Sequence, residues 1–300
     1  MRIAIIGAGV SGLTCGVVLA EAGHDVTIFA KEIENTTSHA AAAIWFPYHI
    51  ASPHVDAWAN ATRGAFIALT GTRDAGVSMI DFDVNGERSR VPLIDTTRYL
   101  PYLRRRFGGR VEQCEVSCSG GVVRASGALS GARRRRAPHE LTHEHDVIVN
   151  CAGFGARELF GDEELTPGYG IAVVTDKPRL DRAIVTDEPL MYVIPRTDDC
   201  ILGGYDSNVP PPESEVAAII ERCRAAVPEL SGRVLAVKHG IRPVRPSVRL
   251  ELTSFEGTPL IHNYGHGGAG FTVSWGCAWE VEKLVSGAAG SQPAERETAG

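Results

Sequence analysis

Residues 2–6 are a short apolar, β-branched run, and Gly7-Ala8-Gly9-Val10-Ser11-Gly12 follows them without a spacer. Leu13, Val17, Val18 and Leu19 continue with helical periodicity, Gly23 marks the end of that helix, and residues 25–30 read as a second buried strand. This order of strand, glycine turn, helix and strand constrains the chain more than any other feature, because a crossover helix commits the two strands to run parallel in an α/β fold. In the turn, Gly7 permits the tight bend, Gly9 lets the backbone approach a pyrophosphate, and Gly12 lets helix and strand pack closely. Free N–H groups and the dipole at the helix start then favour a phosphate, so the implied ligand is a dinucleotide. The motif alone does not choose between NAD and FAD, and its bland counterpart is a structural glycine turn. An acidic residue for the ribose hydroxyls is expected about 20 residues further on. Glu32 is that candidate, with Lys31 beside it.

Residues 3–20 are apolar enough to imitate a signal peptide, since they follow Arg2 and end near Ala20-Glu21-Ala22. The four glycines inside make a poor membrane helix, and the dinucleotide turn explains them better. With 300 residues, the chain fits one large domain or two modest ones, and 44% hydrophobic with 22% charged residues is a globular composition. Its net charge of −6 offers nothing to nucleic acid or to an anionic membrane. The run Arg133 to Arg136, beside Gly, Pro and His and without interleaved aromatics, reads as a solvated hairpin or loop tip. Seven cysteines without a CxxC spacing indicate neither a disulfide framework nor a zinc site, so the expected home is the reducing cytoplasm.

Periodicity places helices over residues 54–69, 97–107, 213–227 and 271–286, the second with Pro101 in its first turn. Strands are expected over 77–83, 90–94, 146–150, 248–252 and 260–263, with 192–195 and 201–205 paired around a turn. The strand at 146–150 runs into Cys151-Ala152-Gly153, where small residues again let the backbone approach a ligand. Residues 240–246 read as a rigid segment rich in proline and arginine, and 264–270 as a glycine-rich loop.

Residues 260–270, Leu-Ile-His-Asn-Tyr-Gly-His-Gly-Gly-Ala-Gly, with their continuation through Trp275 and Ala278, resemble the FAD-dependent D-amino-acid oxidase family. Ala42-Ala43-Ile44-Trp45-Phe46-Pro47-Tyr48, Met191-Tyr192-Val193-Ile194-Pro195 and Gly240-Ile241-Arg242-Pro243 are similar to further segments of that family, in the same order. The resemblance implies FAD as cofactor, with Thr36, Thr37 and Ser38 at its pyrophosphate or ribose, Ala43 and Ile44 near the flavin, and Gly153 on the cofactor. Gly267, Gly268, Ala269, Gly270, Phe271 and Thr272 would present helix-terminal N–H groups to the ring edge where negative charge develops. Thr272 would add a hydroxyl donor there. Arg242 is implied as the clamp for the substrate carboxylate, a role suited to a planar fork of donors. Tyr192 would bond the same carboxylate, and the Gly268 carbonyl would accept the substrate amine. No side-chain base is then required, which leaves His262 and His266 structural.

Three departures from the family pattern stand out. The stretch between Tyr48 and Asp95 is short for a substrate domain, the loop before Tyr192 carries no lid tyrosine, and Gly168-Tyr169-Gly170-Ile171 replaces an arginine and a glutamine. The expected fold is α/β: a Rossmann-like FAD-binding domain from residues 1–50, 95–175 and 240–290, with an inserted, largely antiparallel substrate domain from 51–94 and 176–239. Residues 291–300 are expected to be a disordered tail. The implied activity is oxidative deamination of a D-amino acid by hydride transfer to FAD, with O2 as acceptor and hydrogen peroxide, ammonia and a 2-oxo acid as products. Oxidation of glycine, sarcosine or another secondary amine, or a flavin- or NAD-binding module without turnover, are the alternatives. A homodimer stays open as the assembly.

Overall fold

The computed structural model describes residues 1–126 and 139–290; the arginine run and the expected tail lie outside them. The N-terminal unit forms as its pattern requires, with strand β1 (Arg2–Ile6), helix α1 (Val10–Glu21) and strand β2 (Asp25–Ala30). A one-turn helix α2 (Thr37–Ala40) and helix α3 (Val55–Leu69) come next, α3 burying Trp58, Ala59, Thr62, Phe66 and Leu69 along one side. The hairpin β3 (Val77–Val84) and β4 (Glu87–Ile94) leads into helix α4 (Thr96–Phe107), whose start is fixed by Asp95 accepting the Thr97 N–H. That cap puts Pro101 in the second turn, not the first as its pattern suggests. Strands β5 (Arg110–Gln113), β6 (Glu115–Ser119), β7 (Val122–Ser126) and β8 (His139–Glu140) precede helix α5 (Leu141–Glu144) and strand β9 (Val147–Asn150).

After β9 come helix α6 (Ala156–Phe160), strands β10 (Thr166–Asp176), β11 (Arg182–Asp187), β12 (Leu190–Pro195) and β13 (Asp199–Gly203), and helix α7 (Glu215–Ala226). The C-terminal part is strand β14 (Val234–Phe255), strand β15 (Thr258–His266) and helix α8 (Gly270–Gly290). The main sheet has twelve strands in the order β4-β3-β11-β12-β13-β10-β14-β15-β9-β1-β2-β5. From β15 to β5 every pairing is parallel, whereas from β15 back through β14, β10, β13 and β12 to β11 every pairing is antiparallel.

Strand β14 corrects the expectation of a rigid segment followed by a separate short strand. Its first half pairs with β10 and its second half with β15, and the register shifts between Val244 and Arg249, around Pro246. Proline, lacking an N–H, is tolerated at such an irregularity, so the prolines mark a change of register and not a break. Strand β15 also runs on to His266, taking in part of the expected glycine-rich loop.

Strict alternation along the parallel strands gives each face its own cover. Ile3, Ile5, Ile28, Val147 and Val149 pack under α1, α4 and α8, while Ala4, Ile6, Phe29 and Ile148 meet the small sheet β6-β7-β8. At the antiparallel end, Val173, Val193 and Leu202 pack beneath Ile219 and Cys223 of α7. Burying these side chains contributes roughly 1.5–3 kcal/mol each. The two ends meet along β15, which pairs with β9 on one side and β14 on the other.

Candidate active site

The glycine turn is built so that side chains would obstruct it. Gly7 has φ +107°, and a Cβ there would overlap the Cys151 carbonyl; one at Gly12 would overlap the Gly7 carbonyl. Gly9, the N-cap of α1, has no side chain to cap the helix, and the Val10 N–H donates instead to Ser38 Oγ at 2.9 Å. Ser11 turns its hydroxyl away, to the Asn263 carbonyl and carboxamide on β15, so only its backbone faces the turn. Gly153 opens the one-turn helix after β9, and a Cβ there would meet nothing within 4 Å. Gly270, the first residue of α8, lies beside Val10, the first of α1, with 3.7 Å between its would-be Cβ and Val10 Cγ1. Two positive helix ends thus converge next to open backbone, which is the chemistry a pyrophosphate and a reducible ring edge require. The residues present fit a dinucleotide.

Helix α2 joins this cradle to β14. Ser38 reaches the α1 start, Thr37 Oγ1 donates to the Ile241 carbonyl at 3.2 Å, and Thr36 Oγ1 pairs with His39 Nδ1 at 2.8 Å. Glu32 is exposed just past β2. Ala43 accepts the Ile94 N–H at 2.8 Å and Ile44 bridges Leu93, so the segment that follows α2 runs along the end of β4. Phe46 then docks on α8: the Thr272 hydroxyl donates to the Phe46 carbonyl at 2.8 Å and accepts its N–H at 3.1 Å. Thr272 is thus engaged with the backbone of residue 46 and buried. Phe271 is also buried, and the small residues Gly267, Gly268 and Ala269 form the turn before α8.

Arg242 sits on β14 within two residues of the register shift. Its guanidinium lies over Gly170 of β10, where a Cβ would come within 2.7 Å of Nη2. The glycines in the place of the expected arginine and glutamine therefore make room for Arg242. In the same way Tyr192 of β12 lies across Gly203 of β13. The Tyr192 hydroxyl donates to the Ile171 carbonyl at 3.2 Å, and the Arg242 guanidinium lies close enough to act on it electrostatically. The Gly267 N–H donates to the Pro243 carbonyl at 2.9 Å, which ties the turn carrying Gly268 to the residue after Arg242. Gly268 itself is exposed and packs under the Tyr48 ring. Arg242, Tyr192 and Gly268 are thus brought to one place.

Sequence reasoning missed two members of this cluster. Asp206 Oδ1 accepts from Arg242 Nη1 at 3.0 Å, and Oδ2 accepts from the Tyr48 hydroxyl at 2.9 Å. Tyr48 also stacks beneath Arg242, with 5.9 Å from guanidinium carbon to ring centroid. The available signal was that a half-buried arginine needs a counter-ion, and Asp206 is the acidic residue three positions past β13. Burial, with the Asp206 carboxylate beside it, pushes the Tyr48 hydroxyl well up, and burial raises that of Tyr192. His262 and His266 are buried and neutral, both pushed down to about 4 by burial. The turn between β11 and β12 is only Glu188-Pro189, without a tyrosine. No group of His, Cys, Asp and Glu among the described residues could hold a metal ion.

A parallel sheet whose glycine turn meets two helix starts, beside a guanidinium at the seam with an antiparallel sheet, defines a dinucleotide-dependent oxidoreductase architecture. Residues 2–86 and 90–284 match the model of the FAD dependent oxidoreductase family, DAO. The chain belongs to that family and is FAD-dependent. It is 35% identical to a D-amino-acid oxidase of Rubrobacter xylanophilus, with 96% of each chain covered. It is 36% identical to one of Streptomyces coelicolor, covering 95% of this chain and 97% of that one. The fold is also that of glycine oxidase from Geobacillus kaustophilus, with a TM-score of 0.73 at 18% identity over 99% of this chain and 100% of that one.

Proposed function

We propose that the chain oxidatively deaminates D-amino acids. The observation that carries this reading is the convergence of Arg242, Tyr192 and the Gly268 segment at the seam, beside the cofactor cradle. D-amino-acid oxidases at 35% and 36% identity over 95–96% of this chain support it. Arg242 and the Tyr192 hydroxyl hold the substrate carboxylate, and the Gly268 carbonyl accepts the amine, which fixes the orientation of the α-hydrogen. Tyr48 and Tyr192, with their hydroxyls pushed up, remain protonated donors and do not act as bases. When bound, FAD supplies the two-electron acceptor. Gly7, Gly9, Val10, Ser11 and Gly12 hold its pyrophosphate, Glu32 its ribose, and Gly153 and residues 267–270 the remainder. Dioxygen is the terminal acceptor and hydrogen peroxide a product, while the imino acid hydrolyses in water to a 2-oxo acid and ammonia.

In the same reading, residues 1–50, 95–175 and 240–290 serve the cofactor and 51–94 with 176–239 the substrate. The seven cysteines are free thiols, which suits a reducing cytoplasm; no helix among the described residues is long and apolar enough to cross a membrane. The test is anaerobic addition of D- and L-amino acids to the yellow holoprotein. D-amino acids should bleach the flavin and L-enantiomers should not. Bleaching only by glycine or sarcosine would move the chain to a glycine or secondary-amine oxidase, and a flavin that no amine reduces would reject turnover.

A further inference from the structure

Substrate deamination does not call for a protein carboxylate on Arg242, yet one is there. Asp206 receives Arg242 Nη1 at 3.0 Å and the Tyr48 hydroxyl at 2.9 Å, and faces His49 Nδ1 at 3.2 Å. The Asp206 and Arg242 side chains are 11% and 15% exposed, so water screens the pair poorly. Nη1 is further shared with the Tyr169 and Tyr205 carbonyls at 3.1 and 3.4 Å, whereas Nη2 has only a long 3.5 Å approach to the Tyr205 carbonyl. The Nη1 side of the fork is therefore saturated from within. Nη2 is left for a ligand.

Resting on the D-amino-acid reading, we propose that Asp206 is a specificity-determining residue that selects D-amino acids with a cationic side chain over acidic ones. The argument is one of charge. A substrate with a neutral amine and a neutral side chain brings one negative charge, its α-carboxylate. Asp206 already cancels the positive charge of Arg242, so that carboxylate leaves the site one negative charge in excess. A guanidinium or ammonium on the substrate side chain restores neutrality and finds the Asp206 carboxylate as its partner. A second carboxylate makes the excess two, and like charges close together in a poorly screened site cost several kcal/mol. If Asp206 merely positioned Arg242, all substrates would suffer alike when it is changed.

The test is kcat/KM for D-arginine, D-alanine and D-aspartate, read as oxygen uptake by the FAD-loaded wild type, D206N and D206A at about pH 8.5, above the ordinary imidazole range. Wild type should rank D-arginine first and D-aspartate last. D206N, which keeps the shape and removes the charge, should lower the D-arginine to D-aspartate ratio by on the order of tenfold to a hundredfold. A wild type that prefers D-aspartate overturns the inference without any variant. So does a ratio that D206N leaves unchanged while D-alanine is still oxidised. A wild-type flavin that no D-amino acid reduces overturns the oxidase reading itself.

Discussion

At the parallel end the site consists of main chain and of side chains that are missing, whereas at the antiparallel end it consists of charged and hydroxyl groups from four separate segments. The cradle at Gly7, Gly9 and Gly12 comes from one continuous stretch, and its nearest neighbours are carbonyls of Gly7 and Cys151 and the Ser38 hydroxyl. The Arg242 cluster gathers β14, β12, the residue Asp206 beyond β13 and the residue Tyr48 before α3. A site made of absences should fail when atoms are added. A site made of side chains should fail when atoms are removed.

The largest effect is expected from Gly12→Val. Its Cβ would fall on the Gly7 carbonyl, backbone that cannot rotate away, so the variant should lose about 3 kcal/mol or more, or fail to fold. At Gly9 the nearest obstacle is Ser38 Oγ at 3.1 Å, the tip of a side chain that can turn. Gly9→Val should therefore fold and purify colourless. Thermal unfolding and the ratio of flavin to protein absorbance separate the two. A yellow Gly12→Val protein with the native midpoint would mean that the turn is not held by contact.

Arg242→Ala applies the opposite operation at the other end. It should leave flavin bound and lower kcat/KM by roughly two to four powers of ten, since breaking a buried pair costs roughly 3–5 kcal/mol. Part of that cost falls on the fold, because Asp206 is left with only Tyr48 and His49. Adding Asp206→Asn to Arg242→Ala should recover stability without recovering activity. Recovered turnover in the double variant would remove Arg242 from substrate binding.

The parallel end also carries the stronger pH dependence. His262 accepts from the Asn150 carboxamide at 3.3 Å, and His266 Nε2 donates to Asn263 Oδ1 at 3.0 Å, both as neutral rings. Burial holds both near 4, below the ordinary value of 6.5. Between those values the unfolded chain binds protons that the folded chain refuses, so stability is full above pH ~6.5, falls as the pH drops toward ~4, and levels below. The loss is at most about 3 kcal/mol for each ring. Urea unfolding at about pH 7 and about pH 5 measures it, and His266→Gln should flatten the slope. An unchanged slope in that variant would place the acid sensitivity elsewhere.

How far each end could be read from sequence follows the same division. Glycine spacing is local, so the turn, α1 and β2 were legible from thirty residues. Arg242, Tyr192 and Gly268 were visible in separate segments, each as part of a family pattern. Asp206 and Tyr48 were not: Asp206 meets Arg242 through the pairing of β10, β13 and β14, Tyr48 meets both from the segment before α3, and the need for a counter-ion does not say which acidic residue supplies it. Strand β14 was divided in two because Pro243 and Pro246 look like breaks, whereas the long pairing with β10 carries the strand past them. The place of Thr272 at the start of α8 is local information, while its partner Phe46, 226 residues away, is not.

The smallest expected effect, Tyr192→Phe, removes one oxygen from the antiparallel end and leaves the ring lying across Gly203. Burial keeps the Tyr192 hydroxyl protonated, and it donates to the Ile171 carbonyl. Loss of one such bond is worth about 1 kcal/mol net, or roughly fivefold. If the hydroxyl holds the substrate carboxylate equally in the bound and reacting states, KM should rise by that factor with kcat little changed. A fall in kcat at constant KM would instead make it a group that acts as the α-hydrogen leaves. Unchanged kinetics with a lowered unfolding midpoint would assign it to Ile171 alone, and the carboxylate would then rest on Arg242 without help from β12.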